Sequence, residues 1–361
     1  MKVALLGDIG FFGKYTMENP VIKEYFREVS SLLKTVDVAI GNLEVPLCST
    51  KTLKKGKSAH IKSNPINVEL LKLLNITHVS LANNHVFDYG EKGYMETKES
   101  LKACGIKYFG VENKKEYIIS KDNKIALSGY VCYSTNALGY LEKNKIGVNE
   151  LDYNKVKNDL FINNEKQYFS IVSFHIGEEH IHYPNINHIK LARKLSDEVP
   201  YVFYGHHPHV LQGMEHYKNS LHIYSLGNFC FDDVYTKKSK EPLVVQKKVN
   251  KESAIIILNI ENNKLVNYKT VPIFDNGKEV SLPTDGAIEK KIAKYSRYLE
   301  LEEKQYKNKR KKKLDEYINS RKKLRNFKWY LKRLNIDTLL MMKNSKKNTR
   351  KYKEALQDKV V

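Results

Sequence analysis

The chain has 361 residues and is 41% hydrophobic, enough to bury a core, so it is not a disordered polypeptide as a whole. Its net charge of +21 is uneven: Glu289 to Val361 hold 25 Lys and Arg against 9 Asp and Glu, net +16, and the preceding 288 residues carry only +5. No run approaches the ~18 apolar residues of a membrane-spanning helix, and the opening MKVALLGDIG does not read as a signal peptide; the expected location is cytoplasmic, with any membrane contact peripheral at the inner membrane.

In chain order, VALL (3–6) reads as a strand. Residues 20–34 place Ile22, Phe26, Val29 and Leu33 at helical spacing. VDVAI (36–40) is again a strand, and SNPINVELLKLL (63–74) is a helix with Asn64 as N-cap and Pro65 at its first position. HVSLA (78–82) is a strand, and 91–103 a helix with Gly105 just past its end. KIALSGY (124–130), FSIVSF (169–174), YVFY (201–204), LHIYSL (221–226) and SAIIILNI (253–260) continue the strands. Alternating strands and helices predict a layered α/β fold, and the closer spacing of the later strands predicts that part of the sheet is antiparallel. After about residue 287 the pattern changes. Leu314, Tyr317, Ile318, Leu324, Phe327, Leu331 and Leu334, set among Lys and Arg, predict one or two amphipathic basic helices. The expected division is a body, 1–287, and a basic helical tail, 288–361.

The four cysteines, Cys48, Cys104, Cys132 and Cys230, lie far apart with no zinc-binding spacing and read as reduced thiols. All 12 histidines fall between His60 and His222. Most of the polar groups suited to chemistry follow strands: Asp8 after VALLG, Asn42 and Glu44 after VAIG, Asn83, Asn84, His85 and Asp88 after VSLA, His175 and Glu178 after IVSF, His206, His207 and His209 after VFYG, and Asn228 after IYSLG. Ligands of α/β sheets collect beyond the carboxyl ends of strands, so these groups can converge on one rim. Asp8, Glu44, Asn84, His175, His207 and His209 form a mixed oxygen and nitrogen donor set suited to Mn, Zn or Fe, as one or two ions. His85 is the candidate proton donor, with Asp88 beside it as the second catalytic candidate. Asn42, Lys62, Glu178, His206 and Asn228 are candidate substrate contacts, Lys62 for an anionic substrate.

GDI, GNLEVPL, LANNHVFDYG, FHIGEEH, GHHPHVLQGME and YSLGNFCFD, in this order over about residues 2–275, resemble the CapA-type bacterial capsule synthesis proteins. That family includes the poly-γ-glutamate capsule protein and is similar to the calcineurin-like metallophosphoesterases. The resemblance implies a four-layer α/β/β/α sandwich of metallo-dependent phosphatase type with a metal rim. It carries the metal positions to Asp8, Glu44, Asn84, His175, His207 and His209, and the proton donor to His85. Phosphoesterases usually have a histidine two residues after the first aspartate, where this chain has Gly10, and an aspartate at the bridging position, where it has Glu44. Ile176 replaces an aromatic of the HxGxE motif.

The function expected is a metal-dependent hydrolase of capsule or cell-surface polymer biosynthesis, cutting a phosphoester or amide bond of an anionic polymer or its precursor. Two alternatives stand beside it: a non-catalytic polymer-binding or assembly protein that keeps the fold, and a metal-dependent nuclease, the last less favoured because the motifs match the capsule family better. The basic tail is expected to meet an anionic membrane surface or an acidic partner of the assembly machinery.

Overall fold

The computed structural model describes residues 1–57, 59–141, 146–235, 241–323 and 336–360. Its strands are β1 (Lys2–Ile9), β2 (Val38–Leu43), β3 (His78–Ser80), β4 (Lys107–Phe109), β5 (Glu116–Ile119), β6 (Lys124–Val131), β7 (Phe169–His175), β8 (Tyr201–His206), β9 (Met214–Tyr217), β10 (Ser220–Ile223), β11 (Asn228–Cys230), β12 (Glu252–Glu261), β13 (Lys264–Asp275) and β14 (Val280–Ser281). The first sheet has the order β14-β13-β12-β1-β2-β3-β4, with β11 added in parallel at the end of β1. The second has the order β5-β6-β7-β8-β10-β9. β1 to β4 are parallel, as are β6, β7, β8 and β10; β12 to β14, β5 and β9 supply the antiparallel pairs expected late in the chain, together with one at an earlier edge.

The period-2 alternation of the strands sorts their side chains into three apolar layers. Val3 and Leu5 of β1, Val38 and Ile40 of β2, and Ala254, Ile256 and Leu258 of β12 face the second sheet, where they share a core with Ile171, Val202, Leu221 and Ile223. The intervening Ala4, Leu6, Ala39 and Ile255 share a core with Val29, Leu33, Leu70 and Leu101 of the helices Arg27–Leu33, Glu69–Leu73 and Gly90–Ala103. On the far side, Val172, Phe174, Tyr201 and Phe203 share a core with Val156, Leu160, Ile189 and Leu195 of the helices Tyr153–Glu165 and Ile186–Ser196. Helix, sheet, sheet and helix make the four-layer α/β/β/α sandwich. Strands covered on both faces are apolar on both faces, which is why FSIVSF and VFY lack a polar alternation.

Local capping follows the chemistry of the sequence. Asn64 accepts the amide of Ile66 at 3.3 Å ahead of Pro65, as expected, and Asp152 and Asn185 cap the two far-side helices. The helix ending at Ala103 is followed by Gly105 at φ +71°. The region 20–34 divides into two short helices, Ile22–Tyr25 and Arg27–Leu33, instead of one.

The segment 288–361 is helical in its described parts, in the helices Ala287–Tyr298, Glu303–Lys323 and Ile336–Tyr352 and the short turns after them. Its ends are built into the body. Ile288 and Ile292 join the core between the sheets, and Leu299, Tyr306, Leu356 and Val360 join the far-side core. The boundary at 287 therefore marks a change of composition, not a break in packing. Leu314 and Tyr317 pack against that core and Ile318 is exposed; Leu324, Phe327, Leu331 and Leu334 lie outside the described residues.

Candidate metal centre

The carboxyl ends of β1, β2, β3, β7 and β8 meet at one rim. Gly7 allows the closest approach: a Cβ there would sit 2.1 Å from the Gly227 carbonyl oxygen, and that carbonyl accepts the Asp8 amide at 3.0 Å. β11 is thus drawn against β1, with Asp8 opposite Asn228. In β7 the parity that sends Ile171 toward the first sheet also sends Ser173 and His175. Ser173 Oγ donates to Ser80 Oγ across the sheets at 3.0 Å, and His175 meets the ends of β2 and β3. Past β8 the backbone turns sharply, with His207 at φ +95° and His209 at φ +56°. Such conformations are unfavourable for non-glycine residues, and they concentrate at functional sites.

Two donor sets result. Ligand atoms of Glu44, His175 and His207 lie within 4.8 Å of one another, and so do those of Asp8, Glu44 and His209. Glu44 belongs to both. Its Oε1 is 3.5 Å from His175 Nε2 and 3.5 Å from His209 Nε2. Asn84 Oδ1 is 3.1 Å from His175 Nε2 and extends the first set. The rings of His175 and His207 are 4.8 Å apart. Lone-pair donors crowded together without protons between them repel unless a cation lies among them.

The protonation states fit a divalent cation. Burial, reinforced by Asp8, pushes the Glu44 carboxyl well above the usual carboxylate range. Both Glu44 oxygens are buried with no hydrogen-bond partner among the described residues, as is His207 Nδ1. A fully buried carboxylate with no donor is among the costliest polar arrangements, and a cation relieves it. Burial, then the neighbouring His207, holds His175 far below the usual imidazole range, and burial brings His207 down to about 4. Both are neutral near pH 7, the form that ligates metals. Burial would raise Asp8, but the hydrogen bond and charge of His206, with His209 and Asn42, outweigh it and keep Asp8 ionised.

Three of the candidate substrate contacts face candidate metal ligands. Asn42 is wholly buried; its Nδ2 donates to Asp8 Oδ1 at 2.9 Å and sits 3.4 Å from His175 Nδ1. His206 Nδ1 is 2.9 Å from Asp8 Oδ1, and its ring packs edge-on against Tyr204. Asn228 Oδ1 is 2.8 Å from His209 Nδ1, which leaves His209 Nε2 facing Glu44. Partners of this kind fix ring orientation and tautomer. Glu178 and Lys62 point elsewhere. Glu178 pairs with Arg310 and accepts from Asn185 at 3.1 Å, whereas Lys62 donates to the Ser49 and Thr50 carbonyls and lies over the Tyr89 ring.

Two rim residues escaped the sequence reading. Desolvation would raise the Glu179 carboxyl, but His207, His209, His180 and His85 outweigh it and hold it below the usual range. The HxGxE spacing already pointed to it, since counting from His175 puts the glutamate at 179. Lys57 comes from an irregular loop with no pattern to betray it. Its Nζ lies 2.7 Å from Asp88 Oδ1 and 2.9 Å from His85 Nδ1, and donates to the Asn84 carbonyl. Asp88 Oδ2 is 2.7 Å from His85 Nδ1 and accepts the Ile61 amide at 2.9 Å. Burial would raise Asp88, but His85 and Lys57 outweigh it and keep it ionised. Burial lowers His85 against the pull of Asp88. At Gly10, a Cβ would meet Phe12 at 2.7 Å and Phe231 at 2.8 Å; Phe231 also packs on the His209 ring at 4.9 Å. Aromatic carbon fills the space where a side chain at position 10 would begin.

The buried imidazoles should make the fold acid-labile. Burial brings His78, His180, His188 and His207 down to about 4. A depressed imidazole binds its proton in the unfolded chain first, so its stability contribution is full above pH ~6.5 and is lost as pH falls toward 4. The raised Glu44 carboxyl acts in the opposite sense but is one group against four. Calorimetry of chelator-treated protein should show the melting temperature dropping by several degrees per unit between pH 6.5 and 4.5; a flat profile contradicts this reading.

Two donor sets sharing one buried carboxylate, on the common rim of a four-layer sandwich, define a candidate two-cation centre. The chain belongs to the bacterial capsule synthesis protein family PGA_cap, whose model matches residues 2–233. It is similar to the PGA biosynthesis protein CapA of Bacillus subtilis (strain 168), 29% identical over 288 residues, covering 76% of this chain and 71% of that protein. It is also similar to the capsule biosynthesis protein CapA of Bacillus anthracis, 29% identical over 293 residues, covering 76% and 67%. Among solved structures, a putative 5'-nucleotidase from Staphylococcus aureus aligns with a TM-score of 0.46 at 12% identity, covering 81% of this chain and 58% of that one.

Proposed function

We propose that this chain is a metal-dependent hydrolase of capsule or cell-surface polymer biosynthesis, acting on a phosphoester or amide bond of an anionic polymer or its precursor. The observation that carries the reading is Glu44: a buried carboxylate without hydrogen-bond partners among the described residues, shared by two donor sets. Glu44, His175, His207 and Asn84 would hold one cation, and Asp8, Glu44 and His209 the other, as Mn, Zn or Fe. Cations bound there would polarise the bond to be cut and lower the pKa of water. Asn42, His206 and Asn228 keep the ligands oriented. His85 is the proton donor; Asp88 holds its Nδ1, and Lys57 keeps Asp88 charged. Purified protein should carry divalent metal and turn over a phosphodiester or a γ-glutamyl amide, with activity removed by chelation and restored by Mn, Zn or Fe. Full metal content without turnover of either substrate would favour the second reading, a polymer-binding protein that retains the fold. The aromatic filling at Gly10, where phosphoesterases usually have a ligand, is the observation in its favour. No observation of its own favours a nuclease.

We further infer that the protein works at the inner membrane face. No helix among the described residues is long and apolar enough to cross a membrane. Yet Ile336, Leu339 and Met342 of the helix Ile336–Tyr352 are 72%, 67% and 56% exposed. They recur every three residues on one face, which Lys343 and Lys346 continue, both exposed. Apolar residues that insert beside lysines worth about 1 kcal/mol each suit an anionic leaflet. The protein should sediment with phosphatidylglycerol vesicles at physiological salt, and Leu339→Glu with Met342→Glu should release it. If the intact protein stays in the supernatant, an acidic protein partner becomes the better assignment.

A further inference from the structure

The helix Glu303–Lys323 reaches the metal rim. Arg310 pairs with Glu178 and donates to the Tyr183 carbonyl at 3.2 Å, and Tyr306 donates to the Pro184 carbonyl at 2.7 Å, which anchors the helix along the loop after β7. Two turns beyond Arg310, the Tyr317 ring lies 5.8 Å from that of His180, and the His180 ring lies 6.5 Å from that of His209. Arg321 follows Tyr317 by one turn, on the same helical face. From the other side, Asn250 donates to His180 Nδ1 at 3.0 Å and to the His209 carbonyl at 3.0 Å, and its side chain also accepts the Lys247 amide at 3.2 Å. His180 is thus clamped between the candidate ligand His209 and two chain segments, each of which carries a cation nearby.

We propose that Arg321 and Lys247, with the His180 imidazole and the Tyr317 ring between them, form an anion-binding subsite beside the metal centre that takes a carboxylate or phosphate of the substrate neighbouring the bond cut. Arg321 and Lys247 are both exposed, and neither forms an ion pair among the described residues. Both charges reach His180, and that of Arg321 also reaches Tyr317. Because Nδ1 of His180 accepts from Asn250, the neutral ring carries its proton on Nε2, a donor with no partner among the described residues. Glu179 also faces His180 and Tyr317, so one carboxylate stands against the two cations and the subsite keeps a net positive charge. Arg matches the planar fork of a carboxylate or phosphate, and Lys adds a mobile point charge. Lys247 and Arg321 both lie beyond residues 2–233, the stretch matched by the family model.

The proposal rests on the hydrolase reading for its location beside the bond cut, and binding without turnover separates the two. Titration calorimetry of the full-length protein would use a γ-linked glutamate hexamer and inorganic tripolyphosphate as probes. Arg321→Glu combined with Lys247→Glu should weaken binding of at least one probe about tenfold or more, as expected for losing one or more charge-assisted hydrogen bonds, with metal content and melting temperature unchanged. Arg321→Lys should restore part of the loss and Arg321→Gln should not. Loss for the hexamer alone assigns a carboxylate, loss for tripolyphosphate alone a phosphate, and loss for both a general anion site. If the wild type binds neither probe, or the double variant binds each as tightly as the wild type, the proposal is overturned. If binding shows the expected loss while no substrate is cut, the subsite stands and the hydrolase reading falls.

Discussion

Glu44→Gln is expected to abolish divalent-metal binding at both donor sets at once. His175→Ala or His207→Ala should empty only the first set, and His209→Ala only the second, with the fold intact in each case. The asymmetry follows from the shared position: Glu44 Oε1 lies 3.5 Å from a nitrogen of each set, whereas no imidazole belongs to both. Glutamine keeps the shape and removes the charge, so loss of metal cannot be blamed on packing. Stability should show a reversal of sign. In chelator, the variant should be more stable than the wild type, because glutamine takes the buried place without a charge to desolvate. With metal present, only the wild type should gain. Metal stoichiometry by mass spectrometry and melting curves with and without chelator check both halves. A Glu44→Gln protein with undiminished metal removes the bridging role.

His85→Asn should lower turnover by roughly 10²–10⁴-fold while metal content stays near that of the wild type. Asparagine fills similar space but cannot transfer a proton, and His85 is held by Asp88 and Lys57, outside the two donor sets. Asp88→Asn should cut turnover as well and also destabilise, since it leaves the buried Lys57 ammonium without its carboxylate 2.7 Å away; losing one partner of a buried pair costs about 3–5 kcal/mol. Steady-state rates with a phosphodiester substrate, set beside metal analysis of the same samples, separate the two effects. An unchanged rate in His85→Asn takes His85 out of the mechanism.

The sequence made the layered fold legible because strand parity and helix spacing leave direct marks in Val3, Leu5, Val202 and their neighbours. The candidate donors were legible because ligands gather at strand ends. Direction was not. Residue type says that Asn42, His206 and Asn228 are polar and at the rim, but whether an amide faces a ligand or a substrate depends on strand parity and on loop turns that no pattern encodes. Glu178 and Glu179 are adjacent, and only the loop geometry, with Gly177 at φ +122° and His180 at φ +63°, sends one to Arg310 and the other toward the histidines. Lys57 sits in a stretch without periodicity, so its reach to Asp88 is a tertiary fact. The tail read as a separate basic extension because its charge dominates its composition. Its anchors, Tyr306, Leu356 and Val360, are few and widely spaced.

Anomalous diffraction at the manganese edge, from crystals grown with Mn, tests the central claim most directly. The account predicts two peaks about 3.5–4 Å apart on either side of the Glu44 carboxylate, one beside His175 and His207 and the other beside Asp8 and His209. No peak at the rim, or peaks that do not touch Glu44, would contradict it.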